Sequence, residues 1–123
     1  MNQPVVLLVD DDSRVLSALR RGLRREPILI ETAANAREAL DRLDGDAIDL
    51  VMSDQKMPGL SGIELLKTVR SRWPETQRIL LSGWTSEIPR HDLDAADLFC
   101  VIAKPWDDDE LRRSIRRAVG IDS

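Results

Sequence analysis

Residues 5–12 read Val5-Val6-Leu7-Leu8-Val9-Asp10-Asp11-Asp12, an unbroken aliphatic run that stops in three carboxylates. Five apolar residues in a row, with no polar alternation, suit a parallel strand covered on both faces. The acids then mark the carboxyl end of that strand. Working outward, residues 13–25 place Leu16, Leu19 and Leu23 at helical spacing, while Arg14, Arg20, Arg21, Arg24 and Arg25 keep off that stripe. Pro27 ends the helix. Residues 28–32 read as a second strand. Asn35 and Glu38 form a capping pair for a helix through Ala39, Leu40 and Leu43, and Asp44-Gly45-Asp46 reads as a turn.

The pattern then repeats. Residues 48–53 read as a third strand. Ser61 and Glu64 form a capping box for a helix carrying Ile63, Leu66 and Val69, ended by Trp73-Pro74. Residues 78–82 are a fourth strand. Residues 86–97 are expected to form a helix with a thin apolar stripe and Pro89 in its first turn. Residues 98–103 are a fifth strand, and residues 107–119 a last helix with Leu111, Ile115 and Ala118 on one face. Its acidic start and arginine-rich end suit the helix dipole. Five such βα units predict an α/β fold, a doubly wound parallel sheet with helices on both faces. In these sheets the functional crevice lies outside the carboxyl ends of the strands.

Composition agrees. A chain of 123 residues is one domain by length, and 42% hydrophobic content is too high for disorder. The longest apolar runs are five or six residues, against about 20 for a membrane helix. Residues 1–4 carry no basic segment ahead of the apolar run, so no signal peptide is read. Cys100 is the single cysteine and cannot form an internal disulfide; it reads as a buried structural thiol in a reducing, cytoplasmic setting. The net charge of −4 disfavours nucleic acid as a partner. Three Trp, one Phe and no Tyr offer no platform for stacking bases.

The strand ends carry the chemistry. The first ends in Asp10-Asp11, the third in Asp54, the fourth in Ser82-Gly83 and the fifth in Lys104-Pro105. Singly, each is an ordinary turn residue or a solvated charge. Together they deliver complementary groups to one rim, if the first, third, fourth and fifth strands are neighbours. Clustered carboxylates repel, and a divalent cation relieves them. Oxygen ligands without His or Cys select a hard ion such as Mg²⁺. A carboxylate beside that ion can act as a nucleophile toward phosphorus. Ser82 then supplies a hydroxyl and Lys104 a point charge for the phosphoryl oxygens.

With Leu7-Leu8-Val9-Asp10-Asp11-Asp12, Ser53-Asp54-Gln55-Lys56-Met57-Pro58-Gly59, Leu81-Ser82-Gly83 and Ala103-Lys104-Pro105-Trp106, the chain resembles the receiver domain of bacterial two-component response regulators. The match spans essentially the whole chain. It implies a flavodoxin-like (βα)5 fold with strand order 2-1-3-4-5, residues 1–123 forming a single receiver domain without an output domain, or one excised from a longer chain. It implies that Asp54 accepts a phosphoryl group from a histidine kinase or phosphotransfer protein. Asp10, Asp11, Asp54 and the Lys56 backbone carbonyl would hold Mg²⁺. Ser82 would be the switch hydroxyl and Lys104 the phosphate contact, with a cis Lys104-Pro105 bond. The face from residue 82 to 119 would switch, and residues 86–119 would serve a homodimer or an output domain; Arg112, Arg113, Arg116 and Arg117 either pair there with acids such as Asp92, Asp94 or Asp97 or form a solvated helix end. Asp12 reads as a helix cap or as an outer residue of the acidic cluster. The stretch Lys104-Pro105-Trp106-Asp107 resembles receivers attached to HD-GYP-type phosphodiesterases.

Two departures stand out. Val101 occupies the place where the family usually has an aromatic switch residue, with Phe99 two positions earlier on the same face. Trp84 and the Lys56 side chain sit where family members differ, at positions that the resemblance places beside the path of a hydrolytic water; Trp84 is expected either to shield an aspartyl phosphate or to serve an exposed partner surface. A phosphorylation-independent interaction module of the same fold is the alternative reading. A small-molecule phosphotransferase is disfavoured, because Lys56 stands where such an enzyme has a second acid. The resemblance implies a signalling domain rather than an enzyme in its own right.

Overall fold

The computed structural model describes residues 3–83 and 87–121. Strands and helices alternate as β1 (Val5–Val9), α1 (Ser13–Leu23), β2 (Leu29–Ala33), α2 (Ala36–Gly45), β3 (Leu50–Asp54), α3 (Gly62–Arg72), β4 (Gln77–Ser82), α4 (Arg90–Ala96), β5 (Cys100–Ala103) and α5 (Asp108–Val119). Every strand pairing is parallel, in the order β2-β1-β3-β4-β5. This is the flavodoxin-like arrangement expected from the sequence.

Side-chain alternation divides the core into two layers. Val6, Leu8, Leu50, Met52, Ile79, Leu81 and Ile102 pack with Leu19 and Leu23 of α1 and Leu111 and Ile115 of α5. Leu7, Val9, Val51 and Leu80 pack on the other face with α2, α3 and Ala96 of α4. The central strands β1, β3 and β4 are therefore buried on both sides, which is why their sequences are apolar throughout.

The capping signals in the sequence appear as built. Asp12 caps α1 by accepting the Arg14 N–H, and Asn35 caps α2 by accepting that of Glu38. Ser61 and Glu64 form the reciprocal box at α3. Asp107, expected as the first residue of the last helix, is instead its cap, and α5 begins at Asp108. Several bounds shift: β2, β3 and β5 begin at Leu29, Leu50 and Cys100 rather than at residues 28, 48 and 98, and three helix ends change as well. Residues 44–46 are not a separate turn, since α2 runs through Gly45 and is capped at Asp46. Helix α1 stops at Leu23, not Arg25. Helix α4 begins at Arg90, with Pro89 as its cap rather than inside its first turn. Proline pushes the residue before it out of helical geometry, and among the described residues no side chain caps this helix. The expected residue 86 lies outside the described residues.

Candidate functional site

The topology brings four strand ends to one rim, because β1, β3, β4 and β5 are consecutive in the sheet. Asp10, Asp54 and Lys104 each lie two residues beyond Leu8, Met52 and Ile102, so they continue the side of the sheet that α1 and α5 cover. The Lys104 ammonium donates to Asp54 Oδ1 at 2.5 Å and stands 3.7 Å from Asp10 Oδ2. One carboxylate oxygen from each of Asp10, Asp11 and Asp54 lies within 4.8 Å of the others.

Asp10 is 2% exposed, and its Oδ1 accepts the Asp12 backbone N–H at 2.9 Å. Its Oδ2 is buried with no hydrogen-bond partner among the described residues; Lys104 is within ion-pair distance but beyond hydrogen-bond reach. Burial pushes the Asp10 carboxyl above its usual range, and the Asp54 charge adds to that against the Asp12 N–H and Lys104. An orphaned, desolvated carboxylate oxygen beside two further carboxylates is a donor set suited to a hard divalent cation. The residues present fit Mg²⁺.

Ser82 is buried at the end of β4, and its carbonyl accepts the Lys104 N–H at 3.2 Å. Ser82 and Lys104 are thus tied through the backbone. The Lys104-Pro105 peptide is cis, as the resemblance implied. The Lys56 side chain is exposed and lies 3.9 Å from Glu87. Trp84, expected to shield the phosphoacceptor, lies outside the described residues.

The aromatic question has a geometric answer. Val101 is 36% exposed and Phe99 42% exposed. Phe99 sits before β5 begins, donating its N–H to the Arg78 carbonyl at 2.7 Å. Ala103, not Phe99, is the residue beside Ser82. Four strand positions separate Phe99 from Ala103, about 13 Å at the strand rise. Phe99 therefore stands at the opposite end of the strand from the rim.

Cys100 is half-buried, and burial raises its thiol pKa. Trp73 packs at the edge of one core layer with Arg72 over its ring, and Trp106 donates to Asp108 at the edge of the other. His91 is exposed. On the expected contact face, Asp92 pairs with Lys67, Asp94 with Arg90 and Asp97 with Arg70 inside the same chain. Arg116 pairs with Glu26, and Arg112 donates to Asp109 and to the Gly22 carbonyl. These arginines hold α5 against α1.

Sequence reasoning passed over Gly62 and Gln55. A Cβ on Gly62 would lie 2.2 Å from the Asp54 carbonyl oxygen, so only glycine lets α3 begin so close to the phosphoacceptor candidate. Gln55 binds the same helix start. The available signal was a glycine at the head of a helix directly after an acid-bearing strand.

The response regulator receiver domain model matches residues 6–116. The hydrogenase transcriptional regulatory protein HoxA of Cupriavidus necator is 43% identical over 118 residues, covering 95% of this chain and 24% of that protein. The DNA-binding transcriptional regulator NtrC of Escherichia coli is 33% identical, covering 97% of this chain and 25% of that protein. The chain thus spans about a quarter of the length of these relatives. Among solved structures, the signal receiver domain of an HD domain-containing protein from Pseudomonas fluorescens matches with a TM-score of 0.92 at 31% identity, covering 98% of this chain and 89% of that one. The response regulator TrrA of Thermotoga maritima, solved with Mg²⁺ and BeF, matches with a TM-score of 0.85 at 30% identity, covering 94% of this chain and 99% of that one. With the rim geometry, the strand order and these matches in agreement, the chain belongs to the response regulator receiver domain family.

Proposed function

We propose that residues 1–123 act as one phosphoacceptor receiver of a two-component system, with Asp54 taking a phosphoryl group from a histidine kinase or phosphotransfer protein. The observation that supports this most is the convergence of Asp10, Asp11 and Asp54 within 4.8 Å, with Lys104 bonded to Asp54 at 2.5 Å. Asp10, Asp11, Asp54 and the Lys56 carbonyl would hold Mg²⁺, which when bound offsets the carboxylate repulsion and the charge of the incoming phosphoryl oxygens. A carboxylate oxygen of Asp54 forms the O–P bond as the P–N bond to the donor histidine breaks. Lys104 moves its ammonium from the free carboxylate to a phosphoryl oxygen, and Ser82 donates its hydroxyl to another. The gained negative charge then biases the 82–119 face between two arrangements for a dimer or an output partner. The relatives are named for different jobs, so this reading is of the switch and not of a particular output.

Intact mass after incubation with Mg²⁺ and acetyl phosphate tests it. The expected result is one added phosphoryl group, lost in Asp54→Asn and with a chelator. The exposed Val101 and the distant Phe99 favour one second reading, a module that works without phosphorylation. No mass gain, joined by no spectral response to beryllium fluoride, would select that reading.

A further inference from the structure

The first turn of α3 contains three amides with no partner inside the helix. One residue outside the helix satisfies two of them. The Gly62 N–H donates to the Gln55 backbone carbonyl at 2.9 Å, and the Ile63 N–H donates to Gln55 Oε1 at 2.8 Å. Glu64 N–H goes to the Ser61 hydroxyl. The six residues 56–61 are thereby closed at their base by a single residue. That loop contains Pro58 and Gly59, the latter at φ +81°. Its first residue is Lys56, and the residue before Gln55 is Asp54.

The juxtaposition has a consequence for the rim. On one side, Asp54 is held by its register with Leu81 in β4. On the other, α3 begins in contact with the Asp54 peptide, at a distance that only Gly62 permits. Without the Gln55 side chain, the start of the loop would keep, among the described residues, the Gly62–Gln55 backbone bond, the close Gly62 contact and the exposed Lys56–Glu87 pair. A glutamine also spends its acceptor on the helix while adding no charge beside the three carboxylates. We infer that Gln55 is a positioning residue for the cation site: its amide oxygen caps α3 across the loop and so fixes the Lys56 carbonyl relative to Asp54. This inference rests on the Mg²⁺ reading above.

The test is Mg²⁺ titration by calorimetry on wild type and Gln55→Met, with amide exchange measured in the absence of Mg²⁺. Met keeps the length of the side chain and removes its acceptor. The expected result is Mg²⁺ affinity weakened about fivefold, the equivalent of one net hydrogen bond. Ile63 amide exchange should speed up about tenfold, while Leu65, which donates to the Ser61 carbonyl, stays unchanged. Gln55→Glu, which restores an acceptor at the same reach, should keep Ile63 slow. A merely structural role would lower the melting temperature and leave Mg²⁺ affinity alone. Wild-type affinity in Gln55→Met overturns the inference. So does fast Ile63 exchange in Gln55→Glu, which decides the matter if the Met variant does not fold. A wild-type chain that binds no Mg²⁺ overturns the cation reading itself, a different outcome from either.

Discussion

Arg78 Nε donates to the carbonyl of Ala96 at 2.8 Å, tying the start of β4 to the end of α4. Its other nitrogens reach the carbonyls of Asp97 at 3.0 Å, Thr76 at 2.5 Å and Pro74 at 3.3 Å. The residue is 5% exposed, and burial draws its pKa down, yet a guanidinium stays charged near neutrality. The charge is solvated by backbone carbonyls, two of them at the negative end of a helix. Helix α4 is therefore anchored at its C-terminal end and lacks a side-chain cap at its start.

Arg78→Met should lower unfolding stability by about 3 kcal/mol, because each buried carbonyl left without a donor costs roughly 1–3 kcal/mol and some of the four will reach water. Urea unfolding measures it. A loss under about 1 kcal/mol would show that the carbonyls find other donors.

How much of this was legible in the sequence depends on the range of the interaction. The strand ends were legible, because acids, a hydroxyl and a lysine each closed an apolar run. The α3 capping box was legible, because both partners lie within four residues. Arg78 was not, since it looks like a strand-initiating residue and its acceptors on α4 are 18 and 19 residues away. The start of α4 was misplaced because its apolar stripe is thin and it has no cap to read. The position of Phe99 relative to the rim needed the β4–β5 register, which no local pattern carries.

Gly62→Ala places a methyl group against the Asp54 carbonyl, where backbone rather than a flexible side chain must give way. The expected cost is about 1–3 kcal/mol, in the range of overpacked cores. Labelling of Asp54 by acetyl phosphate should slow as well, since the displaced peptide belongs to the proposed acceptor. Gly45→Ala is the matched control, with nothing within 4 Å of its new Cβ, and should be neutral or slightly stabilising. Equal melting temperatures for the two variants would contradict the close-approach argument.

The Glu26–Arg116 pair joins the segment that follows α1 to α5 through two contacts, one of them Nη2 to Oε2 at 3.1 Å. The Arg116 hydrogen bond holds the Glu26 carboxyl below its ordinary 4.5. A depressed carboxylate contributes stability that is complete above its unfolded value and is lost as pH falls through its folded value. Glu26→Gln should therefore cost about 1 kcal/mol at pH 7, with the gap to wild type closing below pH 4.5. Thermal melts from pH 7 to pH 3 would read this, and a gap that stays constant over that range would exclude the pair as its source.

Asp10 should show the tension between stability and function most directly. Its Oδ2 is buried without a hydrogen bond among like charges, which disfavours the metal-free fold. Asp10→Asn removes that charge and should raise stability by about 1 kcal/mol in the presence of a chelator. Millimolar Mg²⁺ should then raise the melting temperature of wild type and leave the variant unmoved, because only a site that binds the folded state is stabilised by mass action. A variant that melts below wild type in chelator would mean that Lys104 already compensates the Asp10 charge at 3.7 Å.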